Sequence, residues 1–159
     1  MSVQLERVQR RAEYVRTQLR ELRRIARDMD LPAFLADPDA PAAVRYRLQT
    51  AVEALIDIAF HLSAKMTQHA PQDASDAFAT MTRAGILDIG ALPRYQQMLR
   101  FRNRVVHGYL EVDDEILYGM LTGPDLQDIE SALGRFEEAA ARAVAETRET
   151  RGPAGHGEP

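Results

Sequence analysis

The chain has 159 residues, 45% of them hydrophobic, enough for one folded domain with its own core. Its net charge of −4 argues against a general affinity for nucleic acid. The absence of cysteine excludes a disulfide framework and a thiolate metal site.

Charge is unevenly spread. Residues 1–30 hold eight arginines against five acids, and residues 94–104 hold four arginines and no acid. Residues 111–159 hold twelve acids against four arginines. A basic centre in an acidic chain is able to hold a phosphate locally. No run approaches the roughly 20 apolar residues of a transmembrane helix. Arg7, Arg10 and Arg11 break up the first stretch before a signal-peptide core forms, so a cytoplasmic protein is expected.

Residues 2–30 predict a long first helix with Ser2 as its N-cap. Leu5, Val8, Ala12, Val15, Leu19, Leu22, Ala26 and Met29 recur at alternating steps of three and four, a heptad seam. Such a seam packs along an antiparallel helix, across a dimer, or onto the core of a monomeric bundle. Asp30-Leu31-Pro32 ends this helix, and the segment from there to Pro41 reads as a connector. Pro41 suits the first turn of a second helix, which Val44, Leu48, Val52, Leu55, Leu62 and Met66 extend over about 28 residues. On it Asp57 and His61 share a face, either as a metal or catalytic pair or, as is commoner, as structural polar residues.

His69-Ala70-Pro71 closes that helix. Asp73 or Ser75 caps a short third helix with Phe78, Met81 and Thr82 inward, and Gly85 stops it. Residues 86–92 form a bridge, and Pro93 begins a fourth helix, because an interior proline costs about 3 kcal/mol. Met98, Leu99, Phe101, Val105 and Val106 supply its buried side. Gly108 stops it. Asp113 or Asp114 caps a fifth helix, Gly123-Pro124 breaks that one, and Leu126, Ile129, Leu133, Phe136, Ala140 and Val144 mark another. No period-two strand pattern occurs. The expected fold is all-α, an up-and-down bundle of four to six helices over residues 1–149, with 150–159 a disordered tail.

The chemistry concentrates in Arg102-Asn103-Arg104-Val105-Val106-His107-Gly108-Tyr109. On a helix Asn103 and His107 share a face, with Arg102 and Arg104 at its edges. The amide is placed to orient the imidazole, and the guanidiniums to hold an anion beside it. Arginine donates as a planar fork and stays protonated, while histidine transfers protons near neutral pH.

These eight residues, led in by Met98-Leu99-Arg100-Phe101 and out by Leu110-Glu111-Val112-Asp113, resemble the signature of the HEPN superfamily of all-helical ribonucleases. Within it they are similar to the HepT toxins, which pair with a small nucleotidyltransferase antitoxin called MntA. The resemblance spans roughly residues 3–145, and its specific part is the eight-residue core. It implies a toxin acting as a metal-independent RNA endonuclease, with Arg102 and His107 catalytic and Asn103 and Arg104 in support. It implies a homodimer in which two copies of the motif face one cleft. Tyr109 would accept AMP from the antitoxin and so silence the toxin. The substrate would be RNA, and no metal or other cofactor is implied. HEPN chains also serve as non-catalytic partners of nucleotidyltransferases, which is the alternative. Asp57, His61 and Arg45 would at most help shape the groove.

Overall fold

The structure, a computed structural model, describes residues 2–107 and 112–152. The heptad seam forms α1, Leu5–Asp28, and its Val8, Ala12, Val15, Leu19 and Leu22 are buried. They pack within the same chain. The pairs Gln4–His61, Arg11–Asp57 and Gln18–Arg47 run in opposite order along α1 and α3, Ala40–Leu62, so these two helices are antiparallel. The pairs Arg16–Glu137 and Arg23–Glu130 tie the other side of α1 to α7, Asp125–Thr150, also antiparallel.

The first helix starts at Leu5, with Gln4 rather than Ser2 in the capping position. The reason is tertiary: the backbone N–H of Gln4 itself donates to Nε2 of His61 at 3.0 Å, so an imidazole from α3 fixes the start of the helix and no side chain of the segment caps it. Residues 31–36, expected as connector, form a short helix, α2 (Leu31–Ala36). Asp30 caps it by accepting from the Ala33 N–H at 2.9 Å. Pro32 sits in its first turn, where a missing N–H costs nothing. Phe34 on α2 is fully buried against Tyr118, their ring centroids 5.3 Å apart.

The second long helix runs as α3 and then as a π-helical turn, Ser63–Thr67, which ends at Gln68 in the left-handed region. Asp73 caps α4, Ala74–Arg83, through the Asp76 N–H. Gly85 stops it with φ +75°, and the N–H of Ile86 returns to the Met81 carbonyl. A 3₁₀ turn, Ile89–Ala91, leads into α5, Leu92–His107. Asp113 caps α6, Asp114–Thr122, by accepting from the Glu115 N–H. Gly123 ends it, since a Cβ there would lie 2.7 Å from the Gly119 carbonyl oxygen.

The described residues therefore carry seven α-helices and no strand, one helix more than the sequence suggests, and the addition is α2. Helices α1, α3 and α7 enclose the core, and α4, α5 and α6 close it. Phe78 lies at its centre, with ring centroids 5.7 Å from Tyr95 and 5.8 Å from Phe136. Tyr95 and Tyr118 belong to the core: Tyr95 is buried, and the partly buried Tyr118 donates its hydroxyl to the Met29 carbonyl at 2.8 Å. Among the described residues no helix is long and apolar enough to cross a membrane.

Candidate functional site

Helix α5 is a one-sided element whose buried face is set by Tyr95, Met98, Leu99 and Phe101. At 100° per residue, Arg102 falls in the middle of that arc, between the directions of Leu99 and Met98. A guanidinium is thus placed where the helix pattern calls for an apolar side chain. The structure bears this out. Arg102 is half-buried, and its Nε is fully buried with no hydrogen-bond partner among the described residues. Its Nη1 donates to Oδ1 of Asn103, an exposed residue, at 2.9 Å. A buried donor without a partner costs about 1–3 kcal/mol. Nε itself is closed to solvent, so an anion would be met by the terminal nitrogens of the guanidinium.

Asn103, Arg104 and His107 are exposed. His107 is the last residue of α5, one helical turn after Asn103 and on the same face. The arrangement is a chain of three: Arg102 fixed to Asn103, and Asn103 beside His107. Arg104 shares a stripe with Arg100 and His107, at steps of four and three. Of the four arginines in residues 94–104, Arg94 is committed to Asp128, with Nε to Oδ2 at 3.0 Å. Among the described residues neither Arg100 nor Arg104 makes an ion pair, so this exposed stripe keeps its positive charge. Val106, expected to face the core, is 45% exposed although its direction falls within the arc that Tyr95 to Phe101 define, since it stands one residue from the end of α5; Val105 is partly buried, as expected. Tyr109 lies outside the described residues.

Sequence reasoning gave no definite place to Arg45. Its Nη2 donates to the Val112 carbonyl at 3.0 Å and approaches Asp114 Oδ1 at 3.3 Å. It therefore ties α3 to the chain just after the motif. The contact joins residues 67 apart in sequence, and no local signal marks it. Asp57 and His61 do not form a site together. Asp57 pairs with Arg11 at 3.4 Å, and His61, buried, accepts from Gln4. The His61 pKa is lowered, first by burial and then by the charges of Arg7 and Lys65, which fits a neutral acceptor. His69 pairs with Asp76 at 2.8 Å. Among the described residues no group of three or more His, Asp or Glu is placed to hold a metal.

A family profile described as "Ribonuclease HepT-like" matches residues 15–136, most of the chain and all of the motif. The chain belongs to the HepT-like family. Solved structures of similar fold agree. One is a toxin–antitoxin complex with AMP-PNP: 20% identity, TM-score 0.74, covering 84% of this chain and 98% of that one. Another is a tri-AMPylated HEPN toxin of Shewanella oneidensis in complex with an MNT antitoxin: 21% identity, TM-score 0.75, covering 83% of this chain and 97% of that one. A third, a mutant of the toxin–antitoxin MntA–HpeT, matches with 20% identity, TM-score 0.74 and coverage of 83% and 98%. At these identities the likeness is one of fold. No curated protein matches the chain. The HepT-like chain thus has the all-helical architecture of HEPN toxins, with Arg102, Asn103 and His107 at the exposed end of one helix.

Proposed function

We propose that this HepT-like chain is the toxin of a toxin–antitoxin pair and acts in the cytoplasm as a metal-independent RNA endonuclease. The observation that carries the reading is the Arg102 guanidinium, partly buried and fixed by Asn103 one turn before His107. RNA cleavage without a metal needs a proton acceptor for the 2′-hydroxyl and a fixed cation for the phosphate. His107 takes the 2′ proton as the 2′-oxygen attacks the adjacent phosphorus and the bond to the 5′-oxygen breaks. A proton then goes to the departing 5′-oxygen, and the products are a 2′,3′-cyclic phosphate and a 5′-hydroxyl. Arg102 stabilises the charge on the phosphorane, and Arg104 adds positive potential. One exposed helix end cannot enclose a strand, so two copies of the chain facing each other complete the site.

Control follows from the same residues. The neighbouring toxins occur in complexes with MNT or MntA antitoxins, and one is tri-AMPylated. For this chain the partner is a nucleotidyltransferase antitoxin, and the acceptor is Tyr109. Its hydroxyl attacks the α-phosphate of ATP, a phosphodiester forms, and pyrophosphate leaves. The added phosphate brings negative charge and bulk beside the arginines and excludes RNA.

Expression without a partner tests this. The wild type should arrest growth, while Arg102→Ala and His107→Ala should accumulate as soluble, harmless chains. A harmless wild type whose intact mass shows no AMP would overturn the toxin reading and leave a non-catalytic partner of a nucleotidyltransferase.

A further inference from the structure

Beside the motif, α5 and α6 diverge and leave an open groove of about 530 Å³. Met98 and Phe101 form one wall, Ile116 and Met120 the other, and Arg100 and Arg104 stand at the α5 lip. Apolar walls of sulfur, aromatic and branched aliphatic groups suit a flat, polarisable ring better than a charged chain. Gln97 and Asp125 also line the groove and offer amide and carboxyl groups to the edge of such a ring. Burial and the nearby Asp128 raise the Asp125 pKa, which lets its carboxyl share a proton with a heteroatom more readily than an exposed one. The volume lies in the ordinary range for a small-molecule site with apolar walls and a few fixed polar groups.

Position decides what the groove takes. Arg100, Arg104 and His107 lie at i, i+4 and i+7 on α5, one continuous stripe. No acid interrupts α5, and the two arginines have no ion-pair partner among the described residues. A polyanion lying along this stripe toward His107 would pass directly over the mouth of the groove. We propose that the groove is a nucleobase subsite: it receives the base of an RNA nucleotide flanking the scissile bond while Arg100 and Arg104 hold that nucleotide's phosphate. The proposal rests on the ribonuclease reading above and adds a place where sequence preference arises. Arg102, about 160° around the helix from Arg104, serves the scissile phosphate, so the scissile and flanking phosphates are held from different sides of one helix, with His107 at the end of the flanking stripe.

The test uses the full chain carrying His107→Ala, with its methionine methyl groups labelled for NMR, titrated with AMP, GMP, CMP and UMP and with inorganic phosphate. The expected result is saturable shifts of Met98 and Met120 that differ among the four bases and are absent with phosphate alone. Ile116→Glu, at a position that is 57% exposed and so tolerant of charge, should abolish them with helicity intact. Methyl groups that ignore nucleotides, or respond equally to phosphate, overturn the proposal. So does a Met120 methyl that shifts only on dimer dissociation, since a second copy then fills the groove.

Cleavage gives the second arm. Gln97→Ala and Ile116→Glu should raise KM for RNA by roughly tenfold, the scale of one lost base contact. They should also flatten the nucleotide preference beside the cut while kcat falls far less. Wild-type KM and preference in both variants overturn the subsite. If wild type cuts no RNA yet mononucleotides shift the two methionines, the nuclease reading fails and the groove stands as a nucleotide site.

Discussion

Arg45→Met isolates the contact that anchors the chain downstream of the motif. The substitution keeps most of the aliphatic stem and removes the guanidinium, hence the bond to the Val112 carbonyl and the contact with Asp114. A charged donor to a carbonyl contributes about 1.5–3 kcal/mol when well shielded. Arg45 is 35% exposed in its side chain, so the lower end applies. The Asp114 pair, 43% exposed on the acid's side and 3.3 Å long, adds at most about 0.5 kcal/mol. The sum is about 1.5–2 kcal/mol, or roughly 3–8 °C in Tm for a domain of this size. Asp114→Asn should cost under about 0.5 kcal/mol alone and change little in the Arg45→Met background. Thermal unfolding of the four chains measures the cycle. Growth arrest by Arg45→Met should also weaken, because Val112 lies three residues beyond Tyr109 and five beyond His107. An Arg45→Met chain with wild-type Tm would refute the anchoring argument. Equal losses for the two single variants would refute its assignment to the carbonyl.

Other residues give sharper single tests. The His61 pKa is lowered by burial and by Arg7 and Lys65, so the unfolded chain binds its proton more readily than the folded one. Its contribution is therefore complete above about pH 6.5 and is lost as pH falls from there through the lower folded value. Urea midpoints of wild type should drop over that window more than those of His61→Gln, and parallel profiles would contradict it. Gly85→Ala should cost about 1–2 kcal/mol from backbone strain alone, because φ is +75° and nothing lies within 4 Å of the added Cβ; an unchanged Tm would contradict it. Tyr118→Phe should lose about 1 kcal/mol with its bond to Met29 while the ring stays packed on Phe34, read as a small Tm drop with unchanged helicity.

The α1 seam, the caps at Asp73 and Asp113, and the stop at Gly85 were legible because each is local: a period, a side chain reaching two or three residues on, a residue free to take positive φ. Ser2 failed as a cap because the real partner of the α1 N-terminus is His61, 57 residues away from Gln4. Residues 31–36 were misjudged because Pro32 was read as a breaker when it stands in a first turn. The candidate site divides the same way. That Arg102, Asn103 and His107 gather at one helix end follows from spacing. That Arg102 is partly buried was implicit in the Tyr95–Met98–Leu99–Phe101 arc, although placing it only by its relation to the Asn103–His107 face hid it. The groove between α5 and α6 and the Arg45 anchor depend on how distant helices meet, which no local pattern encodes.

If Arg102 and His107 cut RNA without a metal, the purified, unmodified chain should cleave it in excess EDTA. The expected products are fragments ending in 2′,3′-cyclic phosphate and 5′-hydroxyl, with none from folded Arg102→Ala or His107→Ala. Arg102→Lys should stay strongly impaired, since an ammonium cannot bond Asn103 and phosphate as a planar fork does. Intact RNA with the wild-type chain, or cleavage that survives His107→Ala, would contradict this.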